Sequence, residues 1–314
     1  MIEIFKTNIV TKKLENINTV EKGCWINMVN PNREEIEYIS GKLKVSEQLL
    51  TYPLDIQEKP HIDEDEDSVL IDIDVPFVEY NNDKRTYTTI PMGMVLVRDD
   101  YFITVASEKI DLLEAIINDK KRINVYTEKK SRLVFQILFS ISKEYIKYMS
   151  YISNDIDEFE NTMNKSKKHK ELLKLLDLEK TMIYFSTSLK ANHVVLQKLQ
   201  RGKNIKLYEE DQDLLEDTLI ESRQAIEMIV TYSEILNGII DIFGTIISNN
   251  LNVVMKILTS ITLILAIPTL ITSFLGMNVD FPFNTGNIGF YSILGIIVIV
   301  TIGVTLLLKK KDMM

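Results

Sequence analysis

Polar and small side chains recur within a long apolar stretch near the end of the chain. They are spaced three or four residues apart and, with Met255 as the one larger apolar member of the row, comprise Asn252, Met255, Thr259, Thr262, Ala266, Thr269 and Ser273. At about 100° per residue they fall within about a third of a helix circumference. Such a face can line a water-accessible pore when several copies of the helix surround one axis, or it can allow helices to pack closely in lipid. The spacing alone leaves both interpretations open.

The polar row lies in the first of two apolar runs, 257–275 and 288–308. Each is about as long as a helix that crosses a hydrocarbon core of roughly 30 Å. Between Val253 and Leu308 the only charged residues are Lys256 and Asp280. Because only 276–287 separates the runs, the sequence predicts a transmembrane hairpin with both ends on one side of the membrane.

Lysine placement predicts which side that is. Lys309, Lys310 and Lys311 follow the second run and Lys256 begins the first, whereas the connecting loop contains no lysine or arginine. The positive-inside rule therefore places both termini in the cytoplasm. Residues 1–13 lack the apolar core of a signal peptide, which agrees with this orientation. We expect a multi-pass protein of the plasma membrane in contact with the lipid bilayer.

Composition narrows the function classes. The chain has 314 residues with a formal net charge of −9, which argues against a nucleic-acid partner and is compatible with cation binding. One cysteine, Cys24, excludes an internal disulfide and a four-cysteine zinc site. The sequence shows no nucleophile constellation, phosphate-binding loop or paired-histidine site, so we do not expect an enzyme.

The region before the spans predicts a mixed α/β domain over 1–126. Runs of β-branched and aromatic residues suggest strands at 23–29, 69–78, 86–90, 92–97 and 101–105, with the fourth beginning after Pro91. Asn30 is a plausible N-cap for the helix that follows Pro31. The acidic run 63–67 is expected to be mainly a solvated loop.

After Pro91 the next proline is Pro268, so the chain beyond the last predicted strand should be almost entirely helical. Apolar residues spaced by three and four predict an antiparallel hairpin over 127–207, with Gly202 ending its second helix. A third helix begins near Tyr208 and shows no stop signal before the membrane. The fold class is therefore an α+β cytoplasmic domain, a mixed sheet with helices, followed by a long stalk helix and two C-terminal transmembrane helices. The expected divisions are 1–126, 127–207, stalk 208–256, first span 257–275, outer loop 276–287, second span 288–308 and basic tail 309–314.

Gly276-Met277-Asn278, at the end of the penultimate span, resembles the motif of the CorA family of divalent-cation channels. The hairpin topology, the terminal lysines and the long proline-free stalk extend the resemblance to the whole architecture. Magnesium sheds its water reluctantly, so it is best recognised through its hydration shell. Asn278 side-chain oxygens and Gly276 backbone oxygens could accept hydrogen bonds from that shell, with glycine allowing the backbone to turn, while Met277 packs.

The resemblance implies a homopentameric funnel in which the first span lines the pore. Asn252 would form a polar ring near the cytoplasmic mouth, and Met255 with Leu258 or Thr259 would form a constriction. Thr262 and Thr269 would supply hydroxyl rings. The resemblance also implies regulation by cytoplasmic Mg²⁺ bound between subunits, with Asp217 on the stalk and Asp99 or Asp100 as candidate ligands. Lys309, Lys310 and Lys311 would surround the mouth, as topology signals or in gating.

The leading hypothesis is a channel for Mg²⁺ influx. A close alternative is transport of Zn²⁺, Co²⁺ or Ni²⁺ by the same fold. A different class is a two-span membrane-anchored sensor or scaffold, which would not need the polar row.

Overall fold

The computed structural model describes residues 1–65, 67–81, 84–98, 100–118, 123–162, 168–202, 205–277 and 287–313. The chain divides into two compact units, Met1–Asn237 and Gly238–Met314.

The first unit contains a seven-stranded mixed sheet. Its strands are β1 Ile2–Thr7, β2 Leu14–Asn16, β3 Trp25–Val29, β4 His61–Asp65, β5 Ser68–Asn81, β6 Lys84–Val97 and β7 Tyr101–Ala106. The spatial order is β2-β1-β3-β7-β6-β5-β4. Strand β3 pairs with β7 in parallel and every other pairing is antiparallel. The mixed sheet predicted from the sequence is thus present, with β1, β2 and β4 in addition.

Pro91 does not break the sheet, contrary to the prediction of two separate strands. Strand β6 runs through it without interruption, and Pro91 stands opposite Asp74 of β5. Pairing of β6 with β7 begins only at Met92. Pro91 therefore lies beyond that ladder, so its missing N–H removes no bond to β7.

Two local predictions in this unit were wrong. The N-cap of helix α1 (Arg33–Leu43) is Asn32 rather than Asn30, because Asn32 and Glu35 form a reciprocal capping box. Asn30 instead has a positive φ of 43°. Within the acidic run, Asp63–Asp65 belongs to the edge strand β4 rather than to a loop, and Glu66 lies outside the described residues.

Apolar side chains from the sheet and from short helices form the core. Helix α2 (Glu47–Thr51) and a 3₁₀ turn at Tyr52–Leu54 follow α1, and α3 covers Asp111–Ile117. One buried cluster joins Ile39 of α1 and Leu50 of α2 to Ile26, Val95 and Val105 of three strands. The single tryptophan, Trp25, is fully buried and its indole N–H donates to Thr104 Oγ1 at 2.9 Å.

Three long helices follow the sheet, as predicted. They are α4 Lys130–Thr162, α5 Lys168–Gln200 and α6 Glu209–Leu275, the last with 67 residues. Gly202 has a positive φ of 67°, the left-handed conformation expected just after a helix end. In the first turn of α6, Asp211 is almost buried and forms an ion pair with Arg132 of α4 at 3.1 Å.

Helix α5 is joined to β5 by polar contacts just beyond the end of the β4 pairing. Strand β4 pairs with β5 only as far as Asp72. At Asp74 the backbone N–H donates to Asn192 Oδ1 at 2.9 Å, and the carbonyl accepts from Asn192 Nδ2 and the Tyr145 hydroxyl. These side chains therefore provide hydrogen bonds to the Asp74 backbone, which lies beyond the last residue of β5 that pairs with β4.

The second unit contains the C-terminal part of α6 and helix α7, Asn287–Lys310. Both helices are long and apolar enough to cross a membrane. Pro268 lies inside α6 without ending it.

Candidate functional site

The predicted polar row occupies one exposed face of α6. Asn252, Met255, Leu258, Thr259, Thr262, Ala266, Thr269 and Ser273 are all exposed in the single chain. Leu258 lies at the edge of this face. We call Asn252, Met255, Thr259, Thr262, Ala266, Thr269 and Ser273 the polar stripe.

The face of α6 that packs within the chain is a different one. Ser260 is fully buried, and half-buried positions continue along the same side at Ile264, Ile267, Pro268, Ile271 and Leu275. Helix α7 has a matching row of half-buried or buried positions, at Gly289, Ile293, Ile297, Thr301, Val304, Thr305 and Leu308. At about 100° per residue, the packing face and the polar stripe point in nearly opposite directions. The polar stripe therefore does not serve the packing of this hairpin.

Two threonines of the polar stripe, Thr262 and Thr269, use their hydroxyl protons within the helix. Thr262 Oγ1 donates to the Leu258 carbonyl and Thr269 Oγ1 to the Leu265 carbonyl, each at 2.8 Å. A hydroxyl has one proton and two lone pairs. Once the proton is committed to the backbone, the oxygen acts outward as a hydrogen-bond acceptor. Such a surface suits a ligand that donates hydrogen bonds, such as a metal ion carrying its bound water.

A shallow groove of about 730 Å³ runs along the half of the polar stripe that is nearer the end of α6. Thr262, Ala266, Thr269 and Ser273 line it, and Met277 lies at its end. The groove thus extends from the predicted hydroxyl rings to Met277, with Leu265, Leu270 and Phe274 completing its lining.

The motif begins where α6 ends. The Gly276 N–H donates to the Thr272 carbonyl at 2.9 Å, and the Met277 N–H reaches the Phe274 carbonyl at 3.4 Å. Gly276 is not among the described residues with positive φ, and an added Cβ would meet only ordinary contacts, the nearest at 3.4 Å. The conformation of one chain therefore does not require glycine here, in contrast to the expected role in turning the backbone. Asn278 lies outside the described residues.

The predicted basic mouth lies at the end of α7. Lys309 and Lys310 form its last turn and Lys311 follows, all three exposed. Just beyond them, the Met313 carbonyl accepts a hydrogen bond from Ser260 Oγ at 2.7 Å. Since Ser260 lies near the beginning of the first span, the two ends of the hairpin lie on the same side.

The predicted regulatory acids that the structure describes, Asp217 and Asp100, lie in different parts of the chain. Asp217 is exposed on α6. Asp100 forms an ion pair with Lys22 at 2.9 Å, and the hydrogen bond from Lys22 lowers the pKa of that carboxyl. Asp99 lies outside the described residues. Among the residues that are described, no group of three or more His, Cys, Asp or Glu side chains is arranged to hold a metal ion.

Two polar residues have unusual surroundings that were not predicted from the sequence. Asp72 is 1% exposed, and neither of its carboxylate oxygens has a hydrogen-bond partner among the described residues. Ser260 is buried and bonded across the hairpin. A polar residue on an otherwise isoleucine-rich face was the available signal for Ser260. Asp72 alternates with Ile71 and Ile73 along its strand, an ordinary polar and apolar alternation that gives no such signal.

Comparisons with known proteins agree with the architecture. The family model of CorA-like Mg²⁺ transporter proteins matches residues 20–310. The cobalt/magnesium transport protein CorA of Methanocaldococcus jannaschii is 31% identical over 298 residues, which cover 93% of this chain and 92% of that protein. The protein of the same name from Thermotoga maritima is 20% identical over 292 residues, covering 91% of this chain and 82% of the relative.

A solved structure extends the match to the whole fold. The complete structure of the CorA magnesium transporter from Methanocaldococcus jannaschii aligns with a TM-score of 0.84 and 28% identity, covering 100% of this chain and 99% of that one. Sheet, long helices and final hairpin therefore have counterparts in one solved protein. The chain belongs to the family of CorA-like Mg²⁺ transporter proteins.

Proposed function

We propose that this chain forms a homopentameric channel through which Mg²⁺ moves passively into the cytoplasm, with the polar stripe of α6 around the pore axis. The observation that carries the proposal is the division of α6 into two opposite faces. The apolar face is occupied by packing within the chain, and the polar stripe is left exposed. A helix that only anchored a sensor or scaffold would have no need of an exposed polar stripe.

Hydrogen-bond chemistry supports a hydrated cation as the cargo. The oxygens of Thr262 and Thr269 are left as acceptors, and water bound to Mg²⁺ is a strong donor. Carboxylates at a narrow point would hold a divalent ion too tightly, because conduction needs an affinity low enough for release. Neutral oxygens accept hydrogen bonds from the water bound to the ion and still let the ion leave.

The filter in this proposal is a ring of Asn278 side chains and Gly276 carbonyls at the outer end of the polar stripe. Gly276 has room for a Cβ within one chain, so we attribute the glycine to the close approach of neighbouring copies around the axis. Met277 packs beside the ring. At the other end, Asn252 forms a polar ring, and Met255 with Leu258 or Thr259 forms the constriction.

The family and the names of its relatives support the choice of cargo. The two relatives above are cobalt/magnesium transport proteins, so we propose Mg²⁺ as the main ion and Co²⁺ as a second one. Inward movement follows the membrane potential, which is worth about 2.3 kcal/mol per elementary charge per 100 mV, or twice that for a divalent ion.

Regulation and placement complete the proposal. Mg²⁺ bridges acids of neighbouring subunits, with Asp217 on one side and Asp99 or Asp100 on the other. Asp100 must then exchange its partner Lys22 for the ion.

The protein lies in the plasma membrane, with 276–287 outside and with 1–256 and the basic tail 309–314 in the cytoplasm.

The direct test is uptake by the purified full chain in proteoliposomes containing a magnesium-sensitive dye. In Asn278→Ala we expect uptake to fall at least about tenfold while the oligomer stays intact, since the acceptor ring is lost. Asn250→Ala is the matched control, because Asn250 is exposed on α6 on the side away from Asn252.

Two results would contradict the proposal at different points. Equal uptake and equal ion preference in wild type and Asn278→Ala would remove Asn278 from the filter. Absence of Mg²⁺ and Co²⁺ uptake by the intact wild-type oligomer would remove the channel function.

A further inference from the structure

Ser260 makes a contact that differs from those of the neighbouring hydroxyls. It is fully buried, and its Oγ donates to the backbone carbonyl of Met313 at 2.7 Å. Thr262, Thr269 and Thr305, by contrast, donate to carbonyls of their own helices. The Ser260 bond joins two segments separated by 53 positions along the chain.

The acceptor belongs to an ordered turn that closes α7. Asp312 has a positive φ of 52°, and the Met313 N–H bonds back to the Leu308 carbonyl at 3.1 Å. This combination is the usual left-handed ending of a helix, which reverses the chain direction. Leu308, whose carbonyl closes the turn, is itself buried. The turn therefore places the Met313 carbonyl against α6 instead of leaving it in solvent.

The turn directly follows the lysines of the predicted mouth, of which Lys309 and Lys310 still belong to α7. Lys309, Lys310 and Lys311 lie between the buried Leu308 and the bonded Met313, so both ends of this short segment are fixed. On α6, Ser260 follows Leu258 and Thr259 directly but points away from the polar stripe. The Met313 carbonyl, and with it the short segment that follows Leu308, is thereby held at the level of the proposed constriction, behind the face that would line the pore.

From this geometry we infer that Ser260 is a positioning residue for the basic turn. By binding the Met313 carbonyl, it fixes three positive charges per subunit beside the cytoplasmic end of the pore, where they oppose passage of a divalent cation. The inference rests on the proposed channel for its functional consequence, whereas the attachment of the turn to α6 stands independently.

The first experiment tests the attachment without transport. A single reporter cysteine is introduced as Met313→Cys, which retains the backbone carbonyl and lies at a half-buried position. The native Cys24 is fully buried, and burial raises the pKa of its thiol, so it reacts slowly with a water-soluble maleimide. The labelling rate at position 313 is measured with Ser260, Ser260→Thr or Ser260→Val on the full oligomer.

Threonine and valine have the same shape, and only threonine can donate a hydrogen bond. We expect Ser260→Val to increase the labelling rate by about three- to tenfold, because the turn opens more often when the bond is missing. Ser260→Thr should label at nearly the wild-type rate. Equal rates in the valine and threonine variants would overturn the attachment.

The second experiment tests whether the attachment acts through the lysines. Removing the charges by Lys309→Gln, Lys310→Gln and Lys311→Gln together should raise Mg²⁺ flux about two- to fivefold, since nearby positive charges repel the ion. Ser260→Val should raise flux in the same direction, and adding it to the triple variant should have little further effect. Ser292→Ala is the control, because its hydroxyl bonds to Gly289 of its own helix.

The outcomes separate the two proposals. Independent effects of Ser260→Val and the lysine substitutions on flux would overturn the positioning role. Failure of the wild type to transport any divalent ion would overturn the proposed function, while the labelling rates would still decide the attachment of the turn.

Discussion

At the scale of single residues, Asp72 is the least expected side chain in the first unit. Burial raises its pKa from 3.8 to about 8, and the nearby charges of Asp74 and Glu58 add to the effect. His61 of β4 faces it, with its Nδ1 3.9 Å from Asp72 Oδ2 and 2.8 Å from the Lys59 carbonyl oxygen. Since no described residue donates a hydrogen bond to either oxygen, burial favours the neutral carboxylic acid in the folded protein.

The raised pKa of Asp72 predicts how stability depends on pH. Folding strengthens proton binding here, so the stabilising contribution is complete below about pH 4 and is lost as the pH rises toward about 8. We expect the first unit to lose on the order of 2–4 kcal/mol of stability across this range because of this group. In Asp72→Asn, which stays neutral, most of that loss should disappear. Urea unfolding at several pH values, followed by the fluorescence of the single buried Trp25, measures the effect.

The control for this prediction is Asp213→Asn, which removes an exposed carboxylate of α6. It should retain the wild-type dependence on pH. An Asp72→Asn protein whose stability still fell as steeply with pH would show that Asp72 is ionised in the folded state.

At the scale of secondary-structure elements, α6 has to satisfy two environments with one sequence. Isoleucines at a spacing of three and four supply the packing face, and residues with short polar or small side chains supply the opposite one. The positions of both faces follow from helical periodicity, which is why the sequence could predict the polar stripe. Which face packs within the chain could not be predicted, because it depends on the partner helix α7.

The packing face and the polar stripe of α6 are expected to differ in their access to water. With cysteines introduced singly at Thr262 and Thr269, we expect a cationic, water-soluble thiol reagent to react and to inhibit Mg²⁺ flux, because these positions face the pore in the proposed oligomer. Cysteines at Ile264 and Ile271 should react at least about tenfold more slowly, since they are half-buried against the hairpin. Modification rates and flux in proteoliposomes provide the measurement.

The sites at Ile264 and Ile271 also serve as controls, because they lie on the same helix at similar depth. Comparable reaction at all four positions would mean that the packing face is open to water. Reaction at Ile264→Cys and Ile271→Cys alone would place the pore on the wrong side of α6.

At the scale of the whole molecule, local patterns predicted most of the fold and contacts distant in sequence escaped prediction. The charge-free runs, the absence of proline between Pro91 and Pro268, and Gly202 predicted the long helices and their ends. The continuity of β6 through Pro91 depends on where its neighbour β7 stops. In the same way, the Ser260 bond depends on a residue that is 53 positions away.

Regulation also belongs to this scale, because the proposed ligands come from different subunits. In Asp217→Lys we expect the protection against proteolysis conferred by millimolar Mg²⁺ to be reduced by at least about half, since a lysine repels the ion that an aspartate would bind. Glu216→Lys changes the charge equally at an adjacent, exposed position of α6 and should keep its protection. Limited proteolysis of the full oligomer with and without Mg²⁺ measures both. Equal protection in wild type and Asp217→Lys would remove Asp217 from the regulatory site.

Thr262 and Thr269 donate their hydroxyl hydrogen bonds to their own helix, and this has a consequence for chloride. Dissolved anions are stabilised by donors, and these hydroxyls have directed their protons to the carbonyls of Leu258 and Leu265. A pore lined by such acceptor oxygens would favour cations over anions, although no charged side chain occurs in the polar stripe. Electroneutrality during uptake would then have to be maintained by another pathway in the same membrane.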